Sequence, residues 1–168
     1  MNDIEAYAKF PNLRKWYNKL WFSEQMGYDC APAGISPTRS GWYIVRPIIN
    51  LSGMGVGAKK VWIESDDLRS TPPGHFWCQW FEGRQYSITY EWRGFWHPVS
   101  SWEGMKDHHD LSKFHRWERS PHMLPIGSFF DELTEIGRIN IEFIDDKPIE
   151  VHLRESPDPD YDNYQKLY

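Results

Sequence analysis

The chain has only two cysteines among its 168 residues, Cys30 and Cys78. Two thiols make neither a disulfide framework nor a metal knuckle, so a reducing, cytoplasmic setting is expected. A basic surplus is also lacking. The formal net charge is -5 and the pI is about 5.8, which argues against a nucleic-acid coat that neutralises phosphates with Lys and Arg. No apolar run reaches the roughly 18 residues of a membrane span. Met1-Asn2-Asp3-Ile4-Glu5 has neither the basic nor the apolar region of a secretory signal. Internal repeats and linkers are absent too. A chain of this length buries roughly two-thirds of its unfolded surface and folds without a staple.

Aromatic residues are abundant: ten Trp, nine Tyr and nine Phe, 17% of the chain. The tryptophans are scattered from Trp16 to Trp117. Large side chains filling a small core account for that better than a stacking surface for sugars or bases. Leu13, Trp16, Tyr17, Leu20 and Trp21 recur at helical spacing, with Asn12 as N-cap and Gly27 as stop. Strands are expected over 42–45, 60–63, 75–81 and 85–92. The polar stretch 100–125 reads as a long loop or a short helix. Ser128 is expected to cap a helix over 128–137 that Gly137 ends. Strands over 138–144 and 148–153 follow, joined by an Asp145-Asp146-Lys147 turn. The order helix, strands, helix, strands predicts an α+β fold with a mainly antiparallel sheet.

Three segments carry chemistry. The first is Tyr43-Ile44-Val45-Arg46-Pro47, followed by the glycine-rich Ser52-Gly53-Met54-Gly55-Val56-Gly57. A guanidinium at a strand end and loop N–H groups suit phosphate, although a plain hairpin turn gives the same letters. Neither a P-loop nor a dinucleotide fingerprint is present, since no Gly-Lys-Ser/Thr and no helix follows the glycines. The second segment, 77–88, brings two strands to a Glu82-Gly83 turn. The third pairs Asn140 and Glu142 on one strand with Glu150, His152 and Arg154 on the next. Each set shares a strand face. Such oxygen-rich pairs suit Mg²⁺, or else a solvated face with cross-strand ion pairs. A three-residue turn would place Glu142 opposite Glu150 and Asn140 opposite His152; a two-residue turn would shift that register.

In this order the three segments resemble the ATP-grasp superfamily. YIVRPIINLSGMGVGA looks like the family's basic strand and glycine flap, with Arg46 where lysine is usual. WCQWFEGRQYSITY looks like its hinge strand, and GRINIEF and IEVHLR look like its Arg-x-Asp strand and Glu-x-Asn-x-Arg hairpin. NKLWFSEQMGYDCAPAG resembles the segment leading into such a domain. The match covers roughly residues 12–158.

The resemblance implies two small α+β lobes with mainly antiparallel sheets clamping ATP. One domain is expected over 1–158, with a nucleotide lobe over about 1–80 and a metal-binding lobe over 81–158. Residues 159–168 form a loose acidic tail. Arg46 would contact phosphate, and Ser52, Gly53, Gly55 and Gly57 would form the flap. Backbone groups of Gln79 and Phe81 would meet adenine, and Gln85 the ribose. Asn140 or Glu142, with Glu150 and His152, would hold Mg²⁺. Arg138 or Arg154 would steady the transferring phosphoryl group. The implied reaction activates a carboxylate as an acyl phosphate for attack by an amine, so the partners are small molecules, with neither nucleic acid nor membrane. A homodimer or a separate subunit would complete the carboxylate site. His152 is a poor match to hard Mg²⁺, and Gln85 and Asn140 stand where acidic residues are usual. A non-catalytic binding protein on the same fold is therefore the alternative. A hydrolase using Glu142, Glu150, His108 and His109 is less favoured, because adjacent loop histidines are more often solvated than ligating.

Overall fold

The computed structural model describes residues 1–52, 55–106, 111 and 114–155. The expected tail at 159–168, Gly53 and the His108-His109 pair lie outside those residues. Two short helices, α1 (Asp3–Lys9) and α2 (Lys19–Gln25), flank a 3₁₀-helix at Pro11–Tyr17. Four strands follow: β1 (Cys30–Pro32), β2 (Gly41–Pro47), β3 (Lys59–Ile63) and β4 (His75–Gln79). Then come β5 (Gln85–Trp92), β6 (Trp96–Lys106) and β7 (Phe114–Arg119). A 3₁₀-helix at Ser128–Ile136 leads into β8 (Arg138–Ile144) and β9 (Lys147–His152). The strands form two antiparallel sheets, ordered β1-β4-β2-β3 and β7-β6-β5-β8-β9. The α+β expectation holds. Among the described residues, no helix is long and apolar enough to cross a membrane.

Alternation sorts the second sheet into two faces. Tyr86, Ile88 and Tyr90 of β5 and Ile139, Ile141 and Phe143 of β8 are buried in the main core, with Trp16, Tyr17 and Phe22 packed on them. The N-terminal helices thus cover the second sheet, although they precede the first in sequence. The intervening residues Gln85, Ser87, Thr89, Asn140 and Glu142 line a cavity on the other face. A smaller cluster of Ala31, Tyr43, Val45, Ile63 and Trp77 covers the far face of the first sheet.

Several local expectations are corrected. The first helical pattern is split at Asn18, whose side chain accepts from the Trp21 N–H and caps α2; Asn12 caps nothing. Gly27 does stop it, at φ 72°. Helix α1 was not expected. Its Asn2 and Glu5 form a capping box, each side chain bonded to the other's backbone N–H. Strands β6 and β7 occupy the stretch read as a loop. Their serines, Gly104 and exposed charges hide the apolar alternation that marks a strand. Strand β4 ends at Gln79, short of Phe81. The turn of 3₁₀-helix at Ser128 is entered from Gly127 without a side-chain cap.

The β8–β9 turn has two residues, with Asp145 at φ 51°, yet the polar register survives. Ile144 pairs with Lys147 and Phe143 with Pro148. A bulge at Ile149 then inserts one residue, so Glu142 still faces Glu150 and Asn140 faces His152.

Candidate active site

A cavity of about 1170 Å³ opens between the two sheets. The first sheet contributes Ile44, Arg46 and Cys78, and the turn after β2 contributes Ser52 and Gly55. Arg46 crosses the gap: its Nη2 donates to the Ile149 carbonyl at 3.0 Å. The bulge that restores the register therefore also supplies the acceptor that ties the sheets together. The guanidinium lies over the Phe76 ring at 5.3 Å, and its buried Nε has no partner. Ser52 N–H donates to Asn50 Oδ1 at 3.0 Å. Gly57, at φ 81°, packs on the Pro47 ring and does not line the cavity.

Across the second sheet, register sets side chains in rows. One row runs Arg119, Trp102, Ser87, Glu142, Glu150 over all five strands. At its β8–β9 end the acids are already compensated. Lys19 Nζ lies 2.8 Å from Glu150 Oε1, with the two side chains 7% and 13% exposed. His152 Nε2 lies 3.4 Å from Glu142 Oε1 and 3.8 Å from Glu150 Oε1. Behind the imidazole, Asp3 Oδ2 meets His152 Nδ1 at 3.1 Å and Arg154 Nη2 at 2.7 Å. Burial pushes the imidazolium pKa down, but hydrogen bonds to Asp3 and Glu142 and the Glu150 charge outweigh it and raise it to about 10. Three acids, Asp3, Glu142 and Glu150, thus face three cations, Lys19, His152 and Arg154.

This arrangement does not fit Mg²⁺. The expected carboxylates converge, but on the His152 ring, and Lys19 holds the other Glu150 approach. Among the described residues, no three His, Cys, Asp or Glu side chains are arranged to hold a metal ion. Asn140, the fourth expected ligand, is only 2% exposed and exchanges hydrogen bonds with Ser87 Oγ at 3.0 and 3.2 Å.

The remaining expected residues are distributed as follows. Gln85 Nε2 donates to Glu142 Oε2 at 2.7 Å, which sets it beside the acids; its Oε1 has no partner. Gln79 is held to Asp29 by its N–H and its side-chain oxygen, at 2.8 and 2.7 Å, so that N–H is not free for a base. Phe81 lines the cavity in edge contact with Tyr28. Arg138 sits at the rim, paired with Glu155 at 2.8 Å and Glu91 at 3.3 Å. Lys19 and Asp3 were missed, because periodicity gives a helix-borne charge a solvated face by default. The pairing of Trp102 with Ser87 was missed because β6 was.

No protein-family profile matches the sequence, and no curated protein sequence matches it. Solved structures do. An L-amino acid ligase from Bacillus licheniformis superimposes over 87% of this chain with a TM-score of 0.57 and 14% identity. Carboxyaminoimidazole ribonucleotide synthase from Aspergillus clavatus, solved with ATP, superimposes over 92% with a TM-score of 0.52 and 12% identity. The chain has an ATP-grasp fold. It spans 42% and 50% of the length of those two proteins.

Proposed function

We propose that this ATP-grasp domain binds ATP between its sheets and activates a small-molecule carboxylate as an acyl phosphate for attack by an amine. One observation carries the reading: on this fold, Arg46 and the glycine turn face the Glu142–Glu150 row across a single cavity. The guanidinium fork and turn N–H groups suit phosphate oxygens. Ser52 and Gly55 would close over the triphosphate, with Phe81 and the Gln79 carbonyl beside the base and Gln85 beside the ribose. Arg154 and Arg138 would steady the transferring group once released from Asp3 and Glu155. Mg²⁺ was expected between Glu142 and Glu150, but Lys19 and the His152 ring already sit against these carboxylates. Lys19 and His152 supply the positive charge there. The substrates expected are cytoplasmic small molecules, with a homodimer or second subunit completing the carboxylate side.

That same compensation favours a second reading, a nucleotide-binding domain without catalysis. Release of ADP from ATP, measured with mixed carboxylates and amines present, separates the two. Release dependent on both co-substrates supports the ligase. ATP binding without release supports the binding domain, and absence of ATP binding removes both.

A further inference from the structure

We propose that the β6–β7 side of the cavity is an acceptor subsite for a planar aromatic carboxylic acid bearing a second anionic group at its far end. This deepens the ligase reading and rests on it for which end reacts. The ion cluster fills the β8–β9 side of the cavity floor, and Arg46 and the glycine turn face it. The β6–β7 side is different in kind. Its lining is aromatic, from Trp102, Phe114 and Trp117, with Arg119 beyond.

This lining is built. The Phe114 and Trp117 rings stack with centroids 4.6 Å apart at 28°. They lie against bare backbone at Gly104, where a Cβ would come within 2.7 Å of the Phe114 ring and 3.0 Å of Trp117. Only glycine permits that approach. Trp102 Nε1 and Trp117 Nε1 have no acceptor although both atoms are shielded from solvent. Both N–H groups are occluded from the cavity as well as from solvent, so the wall presents ring surface to a ligand and not indole donors.

Register then sets the length of the ligand. Ser87, Trp102 and Arg119 are consecutive in one row. Ser87 to Arg119 is two inter-strand steps, roughly 10 Å. Arg119 is exposed at the cavity and has no ion partner among the described residues. A carboxylate near Ser87 faces the phosphate side, a flat ring system lies along Trp102, and a second anion reaches the Arg119 fork.

The test is the dissociation constant of 2,6-naphthalenedicarboxylate, 2-naphthoate and octanedioate for the full chain without ATP, by calorimetry. The arene diacid is expected to bind roughly tenfold tighter than either comparator. Arg119→Gln should abolish its advantage over 2-naphthoate, and Trp102→Leu its advantage over octanedioate. Should Trp102→Leu fail to fold by circular dichroism, Arg119→Gln, at an exposed position, still decides. A diacid that binds no tighter than the comparators, or a preference that survives Arg119→Gln, overturns the subsite. ATP binding is measured on the same wild-type sample. Loss of ATP binding with the arene preference intact removes the ligase reading and leaves the subsite standing.

Discussion

His152 Nδ1 lies 3.1 Å from Asp3 Oδ2, joining the last strand to the first helix across 149 residues of chain. Both side chains are 5% exposed. Burial alone would raise the Asp3 carboxyl pKa, but hydrogen bonds and charge from His152 and Arg154 hold it well below the usual carboxylate range. His152→Ala leaves Asp3 with less compensation in a buried place, and a loss of about 3–5 kcal/mol is expected. The pH dependence follows from linkage. His152 is raised from 6.5 to about 10, so its contribution is full below 6.5 and is lost as pH rises toward 10. Asp3 is lowered from 3.8, so its contribution is full above that value and is lost as pH falls below it. Urea midpoints should therefore plateau between these values and decline on both sides. In Asp3→Asn the alkaline decline should shrink; an unchanged decline would show that Asp3 does not hold the imidazolium.

Arg46 bonds the bulge carbonyl of Ile149 while its Nε stays unpartnered. Loss of the side chain removes both a cross-sheet tie and a phosphate-directed charge. The ratio of two affinities separates these effects. Arg46→Ala is expected to weaken ATP by at least roughly tenfold, as loss of a charge-assisted bond does, and to change adenosine little. Equal weakening of both ligands would assign Arg46 to holding the sheets and not to phosphate.

Strands β2, β3, β5, β8 and β9 were legible because each alternates or is bounded by Gly, Pro or Asp. The facing of Glu142 and Glu150 was legible for an incomplete reason. The turn has two residues and not three, and the bulge at Ile149 supplies the missing step. Parity alone cannot see a bulge, since one inserted residue cancels one missing from the turn. Strand β6 was hidden because it carries Ser100 and Trp102 at the cavity and Gly104 beneath the Phe114 and Trp117 rings, residues of a wall and not of a core. Lys19 and Asp3 were hidden because their partners, Glu150 and His152, lie more than a hundred residues away, and single-chain periodicity carries no information about such pairs.

Gly83 sits between the two sheets at φ 144°, a backbone region that side chains rarely enter. Asp145 closes over it, bonded to the Arg84 N–H at 2.9 Å and donating its own N–H to the Arg84 carbonyl at 2.8 Å. A Cβ at this position would collide with the Asp145 carboxylate. Gly83→Ala should cost about 1–3 kcal/mol from the backbone alone. Removing the collision with Asp145→Ala in the same chain should recover only part of it. Wild-type stability in Gly83→Ala, by urea unfolding, would mean that the connection between the sheets relaxes freely.

Lys19 decides whether the acids can take a divalent ion. Its Nζ, 2.8 Å from Glu150 Oε1, is the compensating charge that a side-chain substitution can remove without touching either carboxylate. In the wild-type protein without nucleotide, millimolar Mg²⁺ or EDTA should leave the unfolding midpoint unchanged, because Lys19 and His152 already neutralise Glu142 and Glu150. Lys19→Met should destabilise the fold by about 3–5 kcal/mol, the usual consequence of stranding one member of a buried pair. The stranded pair is then short of positive charge, and a hard cation bound by two carboxylates and water becomes favourable. Mg²⁺ should accordingly restore part of the lost stability, in proportion to the logarithm of its concentration once above the dissociation constant. Adding Glu150→Gln to Lys19→Met should remove the Mg²⁺ response, since one carboxylate of the pair is gone. A wild-type midpoint that rises with Mg²⁺ as steeply as the Lys19→Met midpoint would mean that the ion enters with the lysine in place, and that the side-chain cations do not stand in for it.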